Sequence, residues 1–257
     1  MTPIVDLRGK RGLIAGVAND RSIAAGCAAA MRQAGADLAL TYLNEKAEPH
    51  VRPVAEAVGA DLMLPCDVRI PGQLEKVFSE IEAQWGRLDF LLHSIAFAPR
   101  EDLHTGVINC SADGFAMAMD VSCHSFIRMA RLATPLMTNG GSLMTVSFYG
   151  AERVVENYNL MGPVKAALES SVRYIAAELG ERGIHAHAIS AGTVKTRAAS
   201  GIDRFDELMD EVRARTPARR LVTIEEIGRI AAFLASDAGM PLSGSVVFAD
   251  NGFHTIA

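Results

Sequence analysis

The segment that decides the fold is GLIAGVANDRSIAAGCAAAMRQAGADLALTY, which runs from Gly12 to Tyr42. It begins with a short apolar run, Gly12–Val17, which is typical of a buried strand. An alanine-rich stretch follows, Ser22–Ala34, and predicts a helix with a serine at its start. Gly35 ends this helix, and Asp37–Tyr42 supplies a second apolar run. This order predicts two strands of one parallel sheet joined by a helix.

The same alternation continues along the rest of the chain. Five further apolar runs predict strands: Asp61–Pro65, Asp89–Ser94, Gly141–Ser147, Ile184–Ser190 and Ser245–Ala249. Five further stretches predict helices: Ala47–Val58, Gln73–Gln84, Asp113–Met137, Tyr158–Gly180 and Ile224–Ser236. We therefore predict an α/β fold with a doubly wound, Rossmann-type sheet of seven parallel strands and helices on both faces.

The composition indicates a globular protein with a large core. The chain has 257 residues, of which 49% are hydrophobic and 21% are charged. It has no internal repeat, low-complexity tract or linker, so we predict a single domain over residues 1–257. Residues 195–220 interrupt the alternation with a short amphipathic helix, and we predict that this segment forms a flap over the substrate.

Several classes of partner are not expected. The net charge is −5 and no basic stripe is present, so we expect no nucleic-acid partner. The four cysteines show no CxxC spacing, which favours a reducing compartment. His185 and His187 alternate along a strand but have no further ligands nearby, so we predict no metal site. Because we find neither a signal peptide nor a spanning apolar run, we expect a cytoplasmic protein without a membrane partner.

The turn after the first strand is a candidate dinucleotide site. Gly16 allows a tight turn, and the helix near Ser22 offers free N–H groups to a pyrophosphate. The turn lacks the GxGxxG pattern, because the longer excursion Val17–Arg21 replaces the central glycine. From this segment alone, a glycine turn that binds no ligand is therefore as good an interpretation as a dinucleotide site. Two later motifs also follow strand ends, where such sheets bind ligands: CDV at Cys66–Val68 and HSIAFAP at His93–Pro99.

The residues after the second strand bear on the choice of cofactor. They read YLNEK from Tyr42 to Lys46, with one basic and one acidic side chain. A 2′-phosphate requires a cluster of basic residues there, whereas a free 2′-hydroxyl usually meets a carboxylate. We predict NADH, with NADPH as the alternative.

Tyr158 and Lys165 stand seven positions apart in NYNLMGPVK. On a helix this spacing is about two turns, so both side chains would project from one face roughly 10 Å apart. A phenol that donates a proton and an ammonium that binds a diol are what a nicotinamide-dependent reductase needs. We predict that these two residues form the catalytic pair.

Five motifs, in their order and spacing, resemble the NAD(P)H-dependent enoyl-acyl-carrier-protein reductases, a divergent branch of the short-chain dehydrogenase/reductase superfamily. They are GVANDRSIA, CDV, HSIAFAP, GAERVVENYNLMGPVK and SAGTVKTRAASGI. The similarity extends from about Leu7 to Phe253. In ordinary short-chain dehydrogenases the tyrosine lies one helical turn from the lysine, and here that position is Met161, which has no proton to donate. The resemblance implies the reduction of trans-2-enoyl thioesters by NADH in fatty-acid biosynthesis.

The resemblance also implies roles for individual residues. Twelve residues would bind the cofactor: Gly16, Ser22, Ile23, Asp67, Val68, Ile95, Lys165, Val194, Lys195, Thr196, Arg197 and Ala198. Three residues would contact the substrate: Ala98, Phe148 and Tyr158. Tyr158 would donate a hydrogen bond to the thioester carbonyl, and Lys165 would bind the hydroxyls of the nicotinamide ribose. Relatives often carry a tyrosine at the position of Phe148 and a glycine at that of Ala96, so these two residues bear on substrate range.

The wide tyrosine–lysine spacing suits an enoyl substrate on physical grounds. Hydride goes to the β-carbon of an enoyl thioester, and negative charge then develops on an oxygen several bonds away. The group that stabilises this oxyanion must therefore stand farther from the hydride donor than it does in ketone reduction.

Two alternative functions are left open by the sequence. The chain could be a short-chain reductase that acts on another enone or on a ketone, or a non-catalytic dinucleotide sensor. The resemblance implies acyl carrier protein with a bound enoyl chain as the partner, and assembly as a homotetramer.

Overall fold

The computed structural model describes residues 4–196 and 204–256, and a seven-stranded sheet lies at its centre. The strands are β1 Arg11–Ala15, β2 Asp37–Tyr42, β3 Leu62–Pro65, β4 Phe90–His93, β5 Gly141–Phe148, β6 Ile184–Ala191 and β7 Val246–Ala249. All neighbouring strands are parallel, in the order β3-β2-β1-β4-β5-β6-β7. The predicted seven-stranded parallel sheet is confirmed, and each predicted strand has its ends within two residues of those observed.

Nine α-helices lie within the described ranges. They are α1 Ile23–Gln33, α2 Glu48–Val58, α3 Gln73–Trp85, α4 Arg100–His104, α5 Ala112–Met119, α6 Ser125–Ala133, α7 Met161–Leu179, α8 Phe205–Arg215 and α9 Ile224–Ala235. A π-helical segment, Asp120–His124, joins α5 to α6. The short helix α4 was not predicted from the sequence.

Helices cover both faces of the sheet, because successive strand side chains point in opposite directions. Leu13 of β1 packs into a core formed with α3, α6 and α7. Its neighbour Ile14 packs into a second core formed with α1, α2 and α9. The predicted doubly wound arrangement is therefore confirmed.

Helices α1 and α9 approach each other through their backbones. A Cβ atom at Gly26 would lie 2.3 Å from the carbonyl oxygen of Ile224, and one at Gly228 would lie 2.3 Å from that of Gly26. Neither position accepts a side chain without a shift of the helices. This contact fixes α1, whose first residue follows the glycine turn of the candidate cofactor site.

The predicted helix Asp113–Met137 is wrong in two respects. It is not one α-helix, because the π-helical segment separates α5 from α6. It also ends at Ala133 rather than at Met137. Pro135 explains this end, since proline lacks the N–H of the helical ladder and disfavours a helical conformation in the residue before it.

The predicted helix Tyr158–Gly180 begins three residues too early. Helix α7 starts at Met161, and Tyr158 lies in the preceding turn. Asn157 and Asn159 have φ angles of 62° and 42°, and a right-handed helix cannot include either conformation. Asparagine is the non-glycine residue that most readily takes this backbone. The inference that Tyr158 and Lys165 project from one helical face is therefore wrong.

Helix α8 lies within the predicted flap at residues 195–220, and residues 197–203 of that flap lie outside the described residues. Over the described ranges, no helix is long and apolar enough to cross a membrane. The same ranges contain no group of three or more His, Cys, Asp or Glu side chains that could hold a metal ion.

Candidate active site

The candidate site lies where the strand order of the sheet reverses. β1 pairs with β2 on one side and with β4 on the other, and their carboxyl ends share one edge. Gly16 follows β1 with φ +94°, a backbone conformation that glycine tolerates. A Cβ atom there would lie 2.4 Å from the carbonyl oxygen of Ser94 and 2.8 Å from Cγ1 of Ile95. The structure thus brings Gly16 and Ile95 together, so closely that residue 16 has no room for a side chain.

Ser22 caps the helix that follows this turn. Its Oγ accepts a hydrogen bond from the N–H of Ala25 at 3.2 Å and donates one to the carbonyl oxygen of Asn19 at 2.7 Å. Ile23 is the first residue of α1. A capped helix start beside a glycine turn fits a pyrophosphate, because the helix dipole and the first N–H groups both favour an anion.

Asp67 and Val68 lie after β3, two strands away from β1. The Asp67 carboxylate accepts hydrogen bonds from Nε of Arg69 at 3.0 Å and from Nη2 at 2.7 Å. This pairing holds the pKa of Asp67 below its usual value. The carbonyl oxygen of Val68 accepts from Nη2 of Arg128 at 2.8 Å. The Asp67 carboxylate is thus an ionised hydrogen-bond acceptor, while the backbone N–H of Asp67 donates to Oε1 of Gln73 at 2.8 Å.

Tyr158 is held tightly although it lies outside a helix. Its ring centroid lies 4.8 Å from that of Phe148, the last residue of β5. A Cβ atom at Gly150 would lie 2.5 Å from Cδ1 of Tyr158, so glycine is needed there for the ring to fit. The side chain of Asn159 donates to the carbonyl oxygen of Leu103 at 2.8 Å, which ties the turn to α4. Tyr158 is therefore fixed by ring packing and by the two asparagines beside it.

The phenol of Tyr158 is a proton donor at neutral pH. Only 8% of the residue is exposed, and this burial raises the pKa of the phenol. The charge of Glu169 raises it further. A buried, protonated hydroxyl can donate a strong hydrogen bond to an oxygen that becomes negative.

Lys165 lies on α7 and reaches the same end of β5. Its Nζ donates a hydrogen bond to the carbonyl oxygen of Val146 at 2.7 Å. Burial lowers the pKa of this ammonium to about 8, and the Glu169 carboxylate opposes that shift. Phe148 and Tyr158 thus pack together at the carboxyl end of β5, and Lys165 reaches Val146 of the same strand from α7.

The segment after β6 is only partly described. Val194 and Thr196 are joined by a backbone hydrogen bond of 2.9 Å from the Thr196 N–H. The ammonium of Lys195 forms an exposed ion pair with Asp206 of α8 at 2.9 Å. The predicted cofactor residues Arg197 and Ala198 lie outside the described residues.

The π-helical segment holds the loop that carries the predicted substrate residue Ala98. Oγ of Ser122 accepts a hydrogen bond from the N–H of Phe97 at 2.8 Å and donates to its carbonyl oxygen at 3.0 Å. The side chain of one residue thus fixes both backbone groups of Phe97, between Ile95 and Ala98. No pattern in the sequence predicts this contact, since a π-helical turn has no spacing signal of its own.

His93 links the same segment to the sheet in one defined hydrogen-bond direction. Oγ of Ser125 donates to the carbonyl oxygen of Val121 at 2.6 Å, so it accepts from Nε2–H of His93 at 2.8 Å. Burial lowers the pKa of His93 to about 3, and the ring is therefore neutral at physiological pH. Its Nδ1 must then accept the hydrogen bond from the Thr145 hydroxyl at 2.8 Å.

Comparison with known proteins agrees with this geometry. Residues 16–254 match the family model described as enoyl-(acyl carrier protein) reductase. The chain is 45% identical over 250 residues to enoyl-acyl-carrier-protein reductase (NADH) 1 of Rhizobium meliloti strain 1021, covering 97% of this chain and 92% of that one.

Solved structures are equally similar. The crystal structure of enoyl-acyl-carrier-protein reductase (NADH) from Aquifex aeolicus VF5 superposes with a TM-score of 0.95 at 45% identity, covering 99% of both chains. The reductase of Anaplasma phagocytophilum in complex with NAD superposes with a TM-score of 0.94 at 44% identity, covering 98% of this chain and 96% of that one. The predicted fold class and family resemblance are confirmed. The chain belongs to the enoyl-(acyl carrier protein) reductase family.

Proposed function

We infer that this protein is an NADH-dependent enoyl-acyl-carrier-protein reductase, which converts trans-2-enoyl thioesters to saturated acyl thioesters in fatty-acid biosynthesis. The proposed reaction rests on the placement of the Tyr158 phenol relative to Lys165. A buried, protonated phenol stands in the turn before α7, against Phe148, while Lys165 lies farther along that helix. Met161 occupies the position nearer the lysine and is itself buried. The Tyr158 phenol thus lies away from Lys165. An enoyl thioester requires this separation, because its oxyanion forms several bonds away from the carbon that receives the hydride.

The residues at the carboxyl ends of the strands would hold NADH. Gly16, Ser22 and Ile23 would bind the pyrophosphate and nearby ribose, which the tight turn and the capped helix favour. Asp67 and Val68 would contact the adenine. When bound, NADH supplies the hydride for the β-carbon of the substrate.

The nicotinamide half would lie toward β4, β5 and β6. Ile95 would line it, Lys165 would bind its ribose hydroxyls, and residues 194–198 would cover the carboxamide and pyrophosphate. The acyl chain would lie against Ala98 and Phe148. NADPH would be the weaker cofactor, because the loop after β2 offers a single lysine to a 2′-phosphate.

Tyr158 and Lys165 would both stabilise the negative charge that develops on the thioester oxygen. The phenol donates a hydrogen bond to the thioester oxygen as that oxygen becomes an enolate. The ammonium beside the ribose adds positive charge to the same region and favours donation by the phenol. Both groups are buried, where hydrogen bonds to charged atoms are stronger than in water.

The first experiment is an assay of NADH oxidation with crotonyl-acyl-carrier protein and with a panel of ketones and other enones. We expect turnover of the enoyl thioester, slower turnover with NADPH, and none of the ketones. A protein that bound NADH but reduced nothing in the panel would contradict an enzymatic role, and preferential ketone turnover would contradict the assigned substrate.

We also propose that the protein acts in the cytoplasm and folds as a single domain, in which residues 195–220 form a flap over the substrate.

The protein is further proposed to assemble as a homotetramer. Large apolar side chains that remain exposed on three successive helices support assembly: Phe115 on α5, Ile127 on α6, and Tyr174 on α7, which is 70% exposed. Light scattering should give the mass of four chains, and Tyr174→Glu should lower it, whereas the matched variant Arg173→Glu should not. A wild-type monomer would refute the assembly.

A further inference from the structure

Two neighbouring residues of β5 hold two side chains that lie one turn apart on α7. The carbonyl oxygen of Val146 accepts the hydrogen bond from Lys165 Nζ at 2.7 Å. The next residue, Ser147, donates from Oγ to Oε1 of Glu169 at 2.5 Å. A hydroxyl that donates to a carboxylate oxygen favours the ionised form of the acid. Strand and helix are thus joined by a matched pair of contacts.

Lys165 and Glu169 are buried side by side. Each residue is only 5% exposed, and residues four apart on a helix are neighbours on one face. An isolated charge in such surroundings costs several kcal/mol, whereas opposite charges that are both hydrogen-bonded offset part of that cost. The position of Glu169 beside Lys165 therefore lowers the electrostatic cost of burying the ammonium.

The other groups around Lys165 supply no negative charge. His93 on β4 and Cys123 in the π-helical segment both interact with the lysine. The histidine is neutral, and burial raises the pKa of the Cys123 thiol. Glu169 is then the carboxylate that acts on Lys165 among the described residues.

Glu169 itself is surrounded by groups of both signs. Burial raises the pKa of Glu169, and the charge of Glu152 adds to that effect. The hydrogen bond from Ser147, the guanidinium of Arg173 and the ammonium of Lys165 act in the opposite direction. Three partners thus favour the ionised form of a carboxylate that burial disfavours.

We propose that Glu169 is a positioning residue for the reductase reaction, and that its carboxylate, held by Ser147, keeps Lys165 in its protonated form. The negative charge of Glu169 raises the pKa of the ammonium. Loss of the Lys165 proton would remove a positive charge from the site. Glu169 thereby extends activity to higher pH. The reaction on which it acts is the one proposed above.

The test is Glu169→Gln, which removes the charge and leaves an amide oxygen that can accept from Ser147. Without the charge, the pKa of Lys165 falls, so the ammonium loses its proton at a lower pH. We expect the alkaline limb of kcat/KM to move down by about one pH unit, with activity below pH 7 close to that of wild type. A purely structural role would instead lower activity equally across the pH range.

Two matched variants sharpen this result. Glu152→Gln removes a nearby exposed carboxylate and should leave the alkaline limb in place. Glu169→Asp keeps the charge and should restore most of the wild-type profile. If Glu169→Gln does not fold, Glu169→Leu decides: it removes the same charge with an apolar side chain of similar size, and the limb should again move down. An unmoved limb in the folded variant overturns the proposal.

A second readout does not depend on turnover. NMR of the protein labelled at lysine Cε follows the titration of Lys165, whose signal is identified by its loss in Lys165→Met. The midpoint should be lower in Glu169→Gln than in wild type, and equal midpoints overturn the proposal. A wild-type protein that reduces no enoyl thioester but shows the shifted midpoint would refute the reaction while retaining the charge coupling.

Discussion

Replacement of Tyr158 by phenylalanine should lower kcat for enoyl thioester reduction by about 10²- to 10³-fold, the usual loss when one donor to an oxyanion is removed. The substitution deletes only the hydroxyl. The ring remains free to pack against Phe148, 4.8 Å away between centroids, and to fit beside Gly150. We therefore expect the same thermal stability and an unchanged dissociation constant for NADH. Steady-state kinetics, calorimetry and cofactor fluorescence measure these three quantities.

The chain offers a matched control in Tyr149. Its hydroxyl is also buried, yet it has no hydrogen-bond partner among the described residues, and its ring packs edge-on against Phe253. Tyr149→Phe should leave kcat nearly unchanged. Comparable losses in the two variants, or wild-type turnover in Tyr158→Phe, would show that Tyr158 does not donate to the substrate.

Replacement of Lys165 by methionine should weaken NADH binding and lower kcat/KM by roughly 10- to 100-fold, the range expected for the loss of a hydrogen bond to a charged group. Methionine has a similar length but no charge, so it can neither donate to the ribose nor stabilise the developing oxyanion. It also leaves the carbonyl of Val146 without its 2.7 Å donor. Fluorescence titration with NADH measures the first effect, and kcat/KM with crotonyl-acyl-carrier protein measures the second.

Lys10→Met is the control for this experiment. Lys10 immediately precedes β1, at the edge of the sheet opposite the site, and its ion pair with Asp237 is partly exposed. Its replacement should change neither NADH affinity nor turnover. NADH affinity that is unaffected in Lys165→Met would remove the lysine from the cofactor site.

Most of the fold follows from local patterns in the chain. All seven strands were predicted, because buried parallel strands read as short apolar runs between helices and turns. The helix ends were harder to place. Pro135 gave a stop signal that the periodicity of the surrounding residues masked. Pro163, in the first turn of α7, was the matching sign that this helix starts close to Met161.

The site was predictable in its residue types but not in its geometry. The spacing of Tyr158 and Lys165 identified the pair. It also led to the wrong prediction that Tyr158 lies on a helix, whereas this residue lies in the turn before α7. The two asparagines beside Tyr158 were the available signal, since asparagine tolerates positive φ. Ser122 and Glu169 could not be identified in this way. Their partners, Phe97 and Ser147, lie more than 20 residues away along the chain.

His93, which is hydrogen-bonded to Ser125 and Thr145, makes the folded protein less stable in acid. His93 binds a proton only near pH 3 when folded, whereas an unfolded histidine binds one near pH 6.5. Its contribution to the free energy of unfolding is therefore complete above pH 6.5 and declines as the pH falls toward 3. Each molecule that unfolds in mild acid takes up a proton at this ring. A histidine that takes no part in the reaction thus makes the stability of the enzyme fall below pH 6.5, as does buried His187, whose pKa burial lowers to about 4.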